Sequence, residues 1–193
     1  MIAVLLLGGG GHCKSVIDVI EQERKYSIAG IIDKKELIGT SVLGYEVIGC
    51  DDDLQELFKK FQHAVITVGH VKSNAIRVKL FTLLKEIGYA LPVVVSPLAY
   101  VSKRASVDEG TVIMHHALLN ACAKVGKNCI INTKALCEHD CVIENHTHVS
   151  TGAIVNGGAI VKANSFVGSS SVVVECATVS GFLKAGSLNR VRP

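Results

Sequence analysis

The sequence predicts two unlike halves, an α/β domain over residues 1–97 and a parallel β-helix over residues 98–193. Three observations carry this reading: a six-residue period running from Val101 to Lys184, a run of four glycines directly after the first apolar segment, and apolar runs that alternate with helical spacing up to about residue 95.

Fourteen consecutive hexapeptides fill the span from Val101 to Lys184. They open on Val101, Val107, Ile113, Leu119, Val125, Ile131, Cys137, Ile143, Val149, Val155, Val161, Val167, Val173 and Val179. The fifth place of each is small, from Ala105 and Thr111 to Ser171 and Ala177, until Leu183 breaks the rule and marks an expected end of the repeat. A strand would alternate every two residues and a helix every 3.6, and neither keeps phase over this length. One hexapeptide is a short strand plus a turn that cannot bury its apolar side chain alone, so the repeats must stack. Three per coil give roughly four to five coils, with small residues filling a narrow interior.

The first hundred residues alternate elements. Ile2 to Leu7 is an aliphatic strand that ends in Gly8-Gly9-Gly10-Gly11, and His12 to Arg24 has helical spacing through Val16, Ile17, Val19 and Ile20. Ile28 to Asp33 is a second strand that ends on an acid. This strand, glycine turn, helix and strand form the opening of a nucleotide-binding layer. Leu43–Ile48, Ala64–Val68 and Pro92–Val95 read as further strands, Leu54–Phe61 as a short helix, and Ser73–Ile87 as a helix closed by Gly88.

Composition bounds the function classes. Net charge is +3 with no basic stripe, which argues against nucleic acid as a partner. Mean hydropathy of +0.39 comes from strand aliphatics, no run reaches the ~20 apolar residues of a membrane span, and Met1 to Leu7 is too short for a signal peptide. Seven cysteines without CxxC pairs, with Cys129, Cys137 and Cys141 at interior places of the repeat, fit a reducing cytoplasm.

Two groups of residues could carry chemistry. Glycines after a first strand let the backbone approach a phosphate, and the following helix start offers free N–H groups. Cys13 stands where the third glycine of a dinucleotide fingerprint belongs, so a nucleotide or pyrophosphate is favoured over NAD. His12 serves equally well as a polar helix start or as a ligand contact. The second group is Glu138-His139-Asp140, set between two aliphatic strand positions, with His139 at the third place of its hexapeptide and Asp140 at the fourth. A histidine beside an acid can take a proton from an attacking amine or hydroxyl. His146 and His148 are expected at nearby corners.

The Gly8–His12 turn, the run Glu138 to Ile143, the run His148 to Ala153 and the hexapeptides together resemble the bacterial sugar O-/N-acetyltransferases that act on sialic acids or nucleotide-linked amino sugars. The resemblance covers nearly the whole chain. It implies a Rossmann-like N-terminal domain, a left-handed β-helix, a homotrimer and acetyl-CoA as co-substrate with no metal. It implies N-acetylation of a nucleotide-linked amino sugar, a 4-amino-4,6-dideoxy sugar, in bacterial glycan biosynthesis. Residue by residue, it implies His139 as general base oriented by Asp140, Asn132 and His148 near the thioester, and Gly152 and Gly157 as backbone contacts of acetyl-CoA. It further implies Gly8, Gly10, Gly11, His12, Asp33 and Gly69 around the nucleotide sugar. The usual CoA-contacting tail is replaced by Ala185 to Pro193, where Arg190 and Arg192 could meet phosphates.

Three other readings stay open. O-acetylation of a sialic acid uses the same machinery. A non-catalytic nucleotide-sugar-binding protein would bind without turnover. A zinc site between subunits could draw on His115, His116, His139, His146 and His148.

Overall fold

A computed structural model describes residues 1–190. Its first half is a five-stranded sheet built from β1 (Ile2–Leu7), β2 (Tyr26–Ile32), β3 (Ser41–Val42), β4 (Tyr45–Gly49) and β5 (His63–Ile66), in the order β3-β4-β2-β1-β5. All neighbours are parallel except the β3–β4 hairpin. Helix α1 (Gly11–Glu23) turns Cys13, Val16, Ile17, Val19 and Ile20 inward and stops where Arg24 enters the left-handed region at φ 56°. Short α2 (Leu54–Leu57) and α3 (Ala75–Ile87) cover the opposite face, where Leu54, Leu80 and Leu84 pack on Leu5, Leu7 and Ile66. Gly88, at φ 110°, returns its N–H to Leu84 O and closes α3.

The second half is a left-handed parallel β-helix whose two-residue strands stack into three sheets of six, five and six strands. Up to Val161 each strand pairs with the one 18 residues on, as Ile131 does with Val149 and Cys137 with Val155. The hexapeptide openers from Ile113 to Val179 are at most 4% exposed and form one continuous core with Ala117, Ala123, Cys129, Ala135, Cys141, Ala153, Ala159 and Ala177. Thr111 and Thr147 also lie inside, where Thr111 Oγ1 donates to Gly126 O at 2.8 Å and Thr147 Oγ1 to Lys162 O at 3.2 Å. From Gly110 to Cys176 the fourth place of each repeat turns the corner in the left-handed region, for example Lys134 (φ 59°), Asp140 (φ 60°), His146 (φ 59°), Gly152 (φ 64°) and Gly158 (φ 65°).

The structure departs from the sequence reading at both ends of the repeat. Pro92–Val95 does not extend the N-terminal sheet, because β6 (Val94–Val95) pairs with Val112–Ile113 and is a rung of the β-helix. Nor does the prism end at Leu183. The corner at Ser180-Gly181 is two residues short, so Leu183 pairs with Val167 as an inward strand residue, and Leu188–Asn189 adds another rung on Val172–Val173. The phase of the repeat shifts there, which is why a fifth-place reading of Leu183 failed.

One face of the prism carries the N-terminal domain. Val94, Val112, Met114 and Ile130 share a buried cluster with α1 residues Cys13, Val16, Val19 and Ile20. A polar tie adds to it: Ser96 Oγ meets His115 Nδ1 at 2.7 Å, and His115 Nε2 meets Asp18 Oδ2 of α1 at 2.6 Å.

Candidate active site

The structure sorts the predicted residues into three places. The first is the corner between strands Leu136–Cys137 and Val142–Ile143. His139 Nδ1 lies 2.9 Å from Asp140 Oδ2, and the pair is exposed, at 62% and 65% of the side chains. The left-handed turn at Asp140 is tolerable for an aspartate and folds its carboxylate back beside the ring. Glu138 stabilises the same corner: its Oε2 accepts from His139 N–H at 3.2 Å and from Asn120 Nδ2 at 2.7 Å. An ionised carboxylate accepts only, so Nδ1 carries the proton and the lone pair sits on Nε2. Gly157 stands directly beyond this ring, one coil along.

The second place is a groove of about 610 Å³ where the N-terminal domain meets the prism, lined by Gly11, His12, Gly69 and His70 on one side and Asn132 and His148 on the other. His148, expected at an exposed corner, instead lies on a strand of the face that the domain covers and is 6% exposed. Its Nδ1 lies 2.7 Å from His70 O and its Nε2 3.0 Å from Asn132 Nδ2. A carbonyl takes a proton and an amide NH₂ gives one, so His148 is neutral with both nitrogens engaged. Burial holds its pKa down at about 3. Burial, and then the Arg77 charge, lowers His12 to about 3 as well, and His12 Nε2 is buried without a partner. Gly69 lets the loop after β5 cross α1, since a Cβ there would stand 3.2 Å from His12 Cβ. Gly152 sits on the same prism corner as Asn132, one coil along, with its N–H on Thr133 O at 2.9 Å.

The third place is a pocket of about 390 Å³ at the carboxyl ends of the strands, with Gly8, Asp33, Lys34 and Lys35 in its lining. Gly8 has φ +101° and packs so closely that a Cβ would meet Val68 Cγ2. Asp33 holds the turn from the end of β2: its Oδ2 accepts from Gly9 N–H, and its Oδ1 from Lys34 N–H at 2.8 Å. Gly10 caps α1 and Gly11 begins it, and a Cβ at either would meet nothing within 4 Å, so the helix start is open to a ligand.

Sequence reasoning missed Arg77 and His70. Arg77 is 1% exposed and gives its guanidinium to four carbonyls, of Ile66 (2.7 Å), Val68 (2.9 Å), Asn128 (3.2 Å) and Gly110 (3.3 Å), which joins α3 and β5 to the prism. Burial lowers its pKa to about 10, and it stays charged at neutral pH. A cation on the same helical stripe as Leu80 and Leu84 was the available signal. His70 had none beyond its place after Gly69.

The histidines of the zinc reading are dispersed, His115 onto Asp18, His139 onto Asp140, His146 onto Asn128 and His148 onto Asn132. Among the described residues no three His, Cys, Asp or Glu side chains gather as a metal-binding group. Arg190 is exposed, whereas Arg192 lies outside the described residues. No helix of the described residues is long and apolar enough to cross a membrane.

Comparison with known proteins agrees with this architecture. Residues 3–84 match the PglD N-terminal domain family. The acetyltransferase domain of PglB from Neisseria gonorrhoeae FA1090 superposes with a TM-score of 0.89 at 26% identity, over 100% of this chain and 93% of that one. The same domain in complex with acetyl coenzyme A gives 0.86 at 28%, over 95% and 88%. A histidine-to-asparagine mutant of perosamine N-acetyltransferase from Caulobacter crescentus, in complex with CoA and GDP-perosamine, gives 0.71 at 28%, over 96% and 92%. A curated relative, 2,3,4,5-tetrahydropyridine-2,6-dicarboxylate N-succinyltransferase from Parvibaculum lavamentivorans, is 27% identical over 110 residues, which are 50% of this chain and 39% of the relative. The chain thus spans about two fifths of that relative's length. With residues 3–84 matching the PglD N-terminal domain family and a left-handed hexapeptide prism behind them, the chain is similar along its whole length to sugar acetyltransferases of the hexapeptide-repeat class.

Proposed function

We propose that this protein transfers the acetyl group of acetyl-CoA to the amine of a nucleotide-linked amino sugar, a 4-amino-4,6-dideoxy sugar, with His139 as general base. The observation that carries the proposal is the His139–Asp140 pair, whose 2.9 Å contact through Nδ1 leaves Nε2 as a free base on an exposed corner. His148 is unsuited to that role, because Asn132 occupies its only lone pair. No cysteine is required as an acyl carrier, because binding both substrates in one groove supplies the proximity.

The step is direct. The amine attacks the thioester carbonyl, the C–N bond forms, and Nε2 of His139 takes the ammonium proton. Backbone N–H groups meet the oxyanion, the C–S bond breaks, and the imidazolium returns the proton to the departing thiolate. Residues 1–97 would hold the nucleotide at the open start of α1, beside Gly8, Gly10, Gly11 and Asp33, and residues 98–193 would hold acetyl-CoA. Solved relatives in complex with acetyl coenzyme A, and with CoA and GDP-perosamine, support these two substrate classes. The seven free cysteines suit a cytoplasmic setting.

We further propose that the site is completed in a homotrimer. The His139 corner lies across the prism from the face that carries the N-terminal domain, so one chain does not bring base and sugar groove together. Between the His139 corner and the Asn132 corner runs an outward apolar stripe of Tyr100, Leu118, Leu136, Ile154, Val172 and Leu188, a surface suited to a second prism.

The test is CoA thiol release with UDP-, GDP- and dTDP-linked 4-amino sugars and free sialic acid, followed by product mass and position of the acetyl group. Release with one nucleotide-linked amino sugar, acetylated on nitrogen, is expected. Release with sialic acid alone would reassign the enzyme to O-acetylation, and silence with every acceptor would refute the proposal.

A further inference from the structure

The corner that carries His139 repeats along the prism, and its third place is held in turn by Lys103, Ala121, His139, Gly157 and Glu175. The corner therefore accepts side chains there, and the fold does not ask for glycine at 157. Backbone conformation does not ask for it either: the left-handed residue of that corner is its neighbour Gly158, at φ +65°, and Gly157 lies outside that region. What distinguishes Gly157 is its neighbour. A Cβ built on it would lie 2.8 Å from Cε1 and 2.8 Å from Nε2 of His139, and 3.4 Å from Cδ2. Three ring atoms within this range mean that the imidazole lies across the bare α-carbon.

We infer that Gly157 is a positioning residue for His139: its missing side chain is the seat on which the imidazole rests with Nδ1 on Asp140 and Nε2 presented for proton transfer. This rests on the reading of His139 as the base. The Gly158 N–H donates to His139 O at 3.0 Å, which locks the two coils together and sets the distance between ring and seat. A methyl group at 157 would meet the far end of a flexible and exposed side chain, not backbone. The ring would turn away while the corner kept its form, and the Asp140 contact would be lost with it.

The experiment is Gly157→Ala, alone and with His139→Ala, in the full-length chain. Nitrogen-15 shifts of the His139 ring should show the Nδ1-protonated tautomer in the wild type and a mixture of tautomers in Gly157→Ala. With the acceptor in hand, kcat should fall by about 10- to 100-fold. In the His139→Ala background the second substitution should change nothing more. An unaltered tautomer in Gly157→Ala would overturn the inference, as would a fall in kcat that persists without His139. Should the wild type transfer no acetyl group at all, the functional reading fails, and the ring spectrum still decides the role of Gly157.

Discussion

At the scale of single residues, the site rests on two kinds of histidine that the sequence could not separate. His139 and His148 both stand beside corners of the same repeat, yet one is exposed on a carboxylate and the other lies buried between a carbonyl and an amide. The difference comes from the N-terminal domain, which covers one face of the prism and not the opposite corner. His12 and His148, at about 3 in the fold against 6.5 in the unfolded chain, refuse protons that the unfolded chain accepts. The sign follows from linkage: stability is full above about pH 6.5 and falls as pH drops toward 3, by up to about 1.4 kcal/mol per pH unit for each group. Denaturant titrations between pH 7.5 and 4.5 should show this decline, and it should shrink in His148→Gln. A flat profile would contradict the buried neutral state.

At the scale of elements, the hexapeptide period was nearly a complete description of the prism. It made the inward openers, the small fifth places and the corner positions of Asp140 and His139 readable, because in a stacked coil each place in the repeat has a single environment. It failed where the repeat itself loses two residues, at Ser180-Gly181, and where β6 joined the prism ahead of the first recognisable block. The narrow interior gives a direct prediction. Ala153 is fully buried among Cys137, Val155 and Val173 in the core, so Ala153→Leu should cost about 1–3 kcal/mol of unfolding free energy in equilibrium denaturation. Stability equal to that of the wild type would mean a roomier prism than the one described. In the N-terminal domain the glycine turn was legible because Gly8 needs φ +101° and the helix start needs open space, whereas Arg77 was not, since its four carbonyl partners come from segments far apart in sequence.

At the scale of the whole molecule, the two halves are joined by the α1 cluster, the Arg77 fork and the Ser96–His115–Asp18 tie, and they present their candidate residues on different sides of the prism. One side offers a groove and a glycine turn suited to a nucleotide sugar. The other offers a base on a corner beside an apolar stripe, and assembly through that stripe would unite them. The claim on which the account turns is that His139 moves the proton and does not merely shape the site. The most direct measurement is single-turnover acetyl transfer by His139→Gln beside the wild type, with acetyl-CoA affinity determined for both. The account predicts affinity within about threefold and a transfer rate lowered by about 10²- to 10⁴-fold. An unchanged transfer rate at saturating substrates would contradict it.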